Sequence, residues 1–119
     1  SEIYSEKDYF DMQMELIDRF GEMPKSVENL VECMYIRCLC EELGIESAIR
    51  DNDSVMFTMG NNISPEAIVT IMHEYKGKIM YSGGEKSYLC YKYKDNLLYN
   101  VKIILQKLIK LTQQSDERL

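Results

Sequence analysis

Residues 15–30, ELIDRFGEMPKSVENL, constrain the chain more than any other stretch. They read as the end of one helix, a tight corner and the start of a second helix. Leu16, Ile17 and Phe20 are spaced to share a helical face. Gly21 suits the position just past a helix end, because it takes positive φ without steric cost. Pro24 suits a first helical turn, where a missing N–H is not missed. The charged residues are not needed for that shape. Asp11, Glu15 and Asp18 fall within roughly 60° of one another at ~100° per residue. They form a narrow negative stripe expected opposite Ile17 and Phe20, with Arg19 beside it. The stripe reads either as a solvated surface or as a docking face for a basic partner. As solvated surface, its Glu15–Arg19 pair contributes about 0.3–0.5 kcal/mol.

The 119 residues suffice for one domain with a real core. Twenty acidic side chains against fourteen basic ones leave a net charge of −6. That balance argues against sequence-independent nucleic-acid binding, which rests on phosphate neutralisation by Lys and Arg. It favours a basic protein partner, with no direct nucleic-acid contact. No apolar run approaches a membrane span of roughly 20 residues, and no signal peptide is expected. The expected location is cytoplasmic. Cys33, Cys38, Cys40 and Cys90 match no zinc-ligand spacing, so free, mostly buried thiols are expected and no metal or cofactor is.

Taken in order, residues 1–5 are expected to be a frayed lead-in to a chain cut from something longer. A single α+β domain should occupy residues 6–112. The first helix is expected over 6–20, with Phe10, Met14, Ile17 and Phe20 buried beside Leu16, and Met12 exposed. The second should run from 25 to 43. Its main seam is Val27, Leu30, Val31, Met34, Cys38 and Leu39, with Ile36, Cys40 and Leu43 as a shorter one. Alternation over 45–59 around Asp51-Asn52-Asp53 predicts a β-hairpin. Ser64 as N-cap, Pro65 at the first position and Ile63 stapling Ile68 predict a third helix. A second hairpin is expected around Gly83-Gly84. Asp95 should cap a last helix over 96–110, with a disordered tail over 113–119. The order is α-α-β-β-α-β-β-α, a mostly antiparallel sheet packed on helices.

Catalytic chemistry finds little footing. His73 lies off the apolar face of its helix. The Gly83-Gly84 pair with Lys86 fails as a phosphate loop, because a strand and not a helix follows. The acidic residues of the first helix lie one and two turns apart on one open face, whereas catalytic carboxylates oppose each other across a pocket. Tyr81, Tyr88, Tyr91 and Tyr93 crowd the second hairpin and offer an alternative, stacking on single-stranded RNA. A half-buried sheet also uses tyrosines for packing.

The corner closely resembles the signature of the C-terminal domain of the bacterial transcription-repair coupling factor. That signature is Glu-Leu-x-Asp-Arg-Phe-Gly, a Pro, then Val-x-Asn-Leu. It stands here as Glu15, Leu16, Asp18, Arg19, Phe20, Gly21, Pro24, Val27, Asn29 and Leu30. Leu43-Gly44-Ile45 fits the family's exit from the second helix, and the resemblance extends from about Tyr9 to Leu111. It implies a non-catalytic regulatory domain of an ATP-driven DNA translocase that displaces stalled RNA polymerase and recruits UvrA in nucleotide excision repair. It implies further that the domain packs on the UvrB-like N-terminal module of the same parent, masking the surface UvrA must reach. Glu15, Asp18 and Arg19 match the family residues at that contact. Asp11 joins them by helical geometry alone. The resemblance leaves Leu16, Phe20, Gly21, Pro24, Val27, Asn29 and Leu30 to maintaining the fold.

Overall fold

Ser5 starts the first helix. Its side-chain oxygen accepts the Asp8 amide at 3.2 Å, and α1 runs from there over Glu6–Phe20. The computed structural model describes Ile3 and residues 5–117, with Glu117 described in backbone only. Within the expected frayed lead-in, Ile3 is instead buried and Ser5 is a cap. The other lead-in positions lie outside the described residues.

Gly21 closes α1 at φ 71°, its N–H donating to the Ile17 carbonyl at 2.7 Å. Pro24 stands one position before α2 (Lys25–Glu42) and not within its first turn. Its carbonyl accepts the Val27 and Glu28 amides at 3.1 and 3.0 Å. The chain leaves α2 through Gly44, at φ 69°. A Cβ there would fall 2.8 Å from the Asn62 side-chain nitrogen, which would have to move aside, and the positive φ itself favours glycine.

Four strands follow in two hairpins: β1 (Ser47–Asp51), β2 (Ser54–Met59), β3 (Ile79–Ser82) and β4 (Ser87–Lys92). Between the hairpins lies α3 (Pro65–Glu74), and α4 (Leu97–Glu117) ends the chain. All strand pairs are antiparallel, in the order β1-β2-β4-β3. The element order is the expected α-α-β-β-α-β-β-α.

The period-2 alternation sorts the sheet's faces. Val55, Tyr91 and Ile79 share one cross-strand row, and Phe57 pairs with Leu89. All five are buried with Val31, Tyr35 and Leu39 of α2, Ala67 and Ile71 of α3, and Val101, Ile104, Leu105 and Leu108 of α4. The other sheet face carries the row Ile49–Met56–Cys90–Met80 across all four strands. Ile49, Met56 and Met80 are exposed.

The structure departs from expectation in four further places. Phe10, Met14, Ile17 and Phe20 are 54, 65, 50 and 67% exposed, not buried. Tyr9 takes the buried position instead, and Met12 and Leu16 pack on the core beside it. On α2, Leu30 points outward at 61% exposure, while Tyr35 is buried with its hydroxyl satisfied by the Gln106 side chain at 3.0 Å. The last helix extends through residues expected to be a disordered tail. Its final turns are held because the Thr112 hydroxyl accepts the Ser64 amide and Ser115 meets the Ser64 hydroxyl, at 3.3 and 3.2 Å. Residues 118 and 119 lie outside the described residues. Finally, α4 is preceded by Asn96 at φ 48°, and Asp95 meets the helix through its backbone carbonyl, which accepts from the Asn100 side chain. All four thiols are free, and Cys33 is exposed.

Candidate functional site

The site is the outward arc of α1, and a single residue sets which arc that is. Tyr9 stacks on Tyr35 with ring centroids 4.1 Å apart and planes 9° from parallel. Its hydroxyl donates to Glu32 Oε1 and accepts from Gln13 and Lys102 at 3.3 Å. Lys102 Nζ lies 3.2 Å from Glu32 Oε2, and both side chains are largely buried. Burial and the Glu32 carboxylate push the Tyr9 phenol well above its ordinary range, so it stays a donor. α1 is thereby tied to α2 through Glu32 and to α4 through Lys102.

With Tyr9, Met12 and Leu16 inward, helical geometry places the remainder outward. Phe10, Met14 and Ile17 cover an arc of about 60°, and the acidic stripe begins about 40° beyond Met14. The stripe therefore borders the exposed apolar residues along the helix and does not oppose them. Asp11 pairs with Lys7 at 2.9 Å and Glu15 with Arg19 at 3.4 Å. Every member of both pairs is more than 60% exposed, so neither is committed to holding the fold. Hydrogen bonding to Asp11 raises the Lys7 ammonium above its usual value. Asp18 is exposed and makes no ion pair with another described residue.

The corner residues divide. Gly21 and Pro24 shape the backbone, as their φ values of 71° and −58° require. Phe20 and Asn29 are exposed and contribute no core packing. The expectation that they maintain the fold is corrected.

Other candidates lead away from chemistry. Tyr91 is buried on the helix-facing side of the sheet, and Tyr81, opposite Leu89, shares that side. Tyr88 belongs to the other side, where it pairs with Thr58. Tyr93 lies past the end of β4, its hydroxyl accepting from Arg50 and donating to the Asn52 carbonyl. The four tyrosines do not form one stacking platform. Lys86 pairs with Glu46 at 3.8 Å. A groove of about 1020 Å³ lies beside Tyr35, Cys38, Gln106 and Lys107. Burial, followed by Glu42 and Glu41, pushes its Cys38 thiol up, which disfavours a nucleophilic thiolate. Among the described residues no group of three or more acidic, His or Cys side chains could hold a metal ion. No described helix is long and apolar enough to cross a membrane.

Such a helical corner on a four-stranded antiparallel sheet defines a known class of domain. The crystal structure of a C-terminal domain of transcription-repair coupling factor is similar, with a TM-score of 0.81 at 19% identity, over 95% of this chain and 76% of that one. The TRCF domain family model matches residues 1–68, more than half of the sequence, and the chain belongs to that family. Comparison with curated proteins finds no match. The matched segment includes the whole corner and the acidic arc of α1.

Proposed function

We propose that this chain is a non-catalytic regulatory domain of a DNA-repair coupling factor, and that α1 is its contact surface. It packs on the UvrB-like N-terminal module of the same parent and masks the surface that recruits UvrA. It acts as a cover, released when the parent's ATP-driven motor engages DNA and stalled RNA polymerase. Glu15, Asp18 and Arg19 carry the contact, with Asp11 extending it by one turn. The observation that supports this reading is the exposure of all four on α1, with ion pairs confined to their own helix.

The energetics suit a switch. An exposed carboxylate contributes little to folding, yet truncating one that is desolvated against Arg at an interface costs about 2–5 kcal/mol. A closed-to-open bias of that size is what a cover needs. In the intact parent, Glu15→Ala with Asp18→Ala therefore raises UvrA affinity without changing this domain's melting temperature. Titration of UvrA against both parents checks it. Equal affinities would contradict the assignment.

A further inference from the structure

The helices pack on one face of the sheet and leave the other open. An antiparallel sheet with one face in water normally turns polar residues outward. Here the central outward row, Ile49–Met56–Cys90–Met80, is apolar across all four strands. Its two ends, Ile49 and Met80, are more than half exposed. A contiguous exposed apolar band marks an interaction surface more often than a solvated one.

The rows on either side select the occupant. At one end of the sheet Asp51 faces Ser54, and Ser54 faces Lys92. The Lys92 amide donates to the Lys78 carbonyl at 2.7 Å, so Lys78 continues this row just before β3. Asp51 and Lys78 are exposed, and neither makes an ion pair with another described residue. Three strand spacings of about 4.8 Å hold them roughly 14 Å apart, too far to meet within one chain. Lys78 stands instead beside Lys92, and like charges directly opposite on a ladder are unfavourable. At the other end of the sheet the row Ser47–Thr58–Tyr88–Ser82 carries only hydroxyls.

Turned about a twofold axis parallel to the strands and midway between β2 and β4, this face meets itself. β1 of one copy then lies over β3 of the other. Asp51 comes opposite Lys78 of the second copy, and Ser54 opposite Lys92. Ile49 comes opposite Met80, and Met56 opposite Cys90. The hydroxyl row meets the hydroxyl row. No position meets a like charge, as a twofold contact of one surface with itself requires. The axis also keeps the strands of the two sheets aligned, a common way for sheets to stack about 10 Å apart. We propose that the open sheet face binds a second copy of this chain, burying the apolar row beside two Asp51–Lys78 ion pairs. Nine of the twenty acidic residues stand on α1 and α2, on the helical side of the sheet. With a screening length of about 8 Å at physiological salt, their repulsion across the dimer is weak. Twelve positions a side, against roughly 20–30 in a standard interface, make the dimer a weak and reversible one.

Sedimentation equilibrium of this chain tests the proposal. Self-association with a dissociation constant on the order of 0.1 mM is expected at physiological salt. Asp51→Lys alone and Lys78→Asp alone each set like charges against each other at both ion pairs. Each should weaken association about tenfold or more. An equimolar mixture of the two variants restores both opposite-charge pairs and should associate about as tightly as the wild-type chain. Unchanged melting of each variant verifies folding. Should a charge variant melt differently, Ile49→Ser with Met80→Ser carries the same test, since both side chains lie outside the core. A wild-type chain that stays monomeric up to about 1 mM would overturn the proposal. So would a dimer that none of these variants weakens, or folded charge variants that their mixture fails to rescue. The surface is separate from α1, so the outcome leaves the cover function where it stands.

Discussion

Glu32, its side chain only 14% exposed, lies between a phenol and an ammonium. Removing one partner of such a buried pair leaves a charge without compensation and costs about 3–5 kcal/mol, whereas replacing both with apolar groups is often neutral. Lys102→Met should therefore destabilise the chain by about that amount. Glu32→Leu combined with Lys102→Met should recover most of it. Urea denaturation of the two variants checks both statements, and equal losses would show that the pair is not coupled. Thiols give a second residue-scale outcome. Burial raises Cys40 from 9.0 to about 11, while Cys33 is exposed. At pH 8 iodoacetamide should modify Cys33 first and Cys40 last, as read by peptide mass spectrometry. The same shift has a linkage consequence. The folded chain holds the Cys40 proton more tightly than the unfolded chain, so that contribution is full below pH 9 and is lost as pH rises toward 11. Tyr35, Tyr75 and Tyr91 are raised mainly by burial and extend the loss to higher pH. Melting temperature should fall steadily over that alkaline range.

α1 is the element where sequence and structure part. Its limits, its glycine end and its exposed carboxylates were legible, because caps, positive φ and charge are local properties. Its inward face was not. Phe10, Met14, Ile17 and Phe20 are more apolar than Tyr9, Met12 and Leu16, and periodicity favours the more apolar stripe. The competing stripe wins because Tyr9 finds Glu32, Gln13 and Lys102, up to 93 positions away, to satisfy its hydroxyl. No local pattern announces such a partner. Tyr35 was overlooked for the same reason, since its hydroxyl is met by Gln106 from another helix. β2, β4 and α3 were legible because their alternation and capping coincide with burial, whereas β1 was legible only from its alternation and turn, since its Ile49 is exposed. The end of α4 was not, because Ser64 holds it from a distance. If Tyr9 is what seats α1, Tyr9→Ala should lower hydrogen-exchange protection along α1 by a large factor while β2 and β4 keep theirs. Uniform loss across the chain would mean that α1 and the sheet open as one unit.

At the scale of the molecule, the helices and sheet close a core that leaves α1 at the periphery with its apolar row and acidic border turned outward. The core closes without α1's outer arc, and the proposed cover function assigns that arc to the contact. Hydroxyl-radical footprinting compares the arc directly in two states, this chain alone and the resting parent. Oxidation of Phe10, Met14 and Phe20 should be strong in the chain alone. It should be suppressed in the resting parent and restored when the parent is bound to stalled polymerase. Equal oxidation of those three side chains in the chain and in the resting parent would contradict the account.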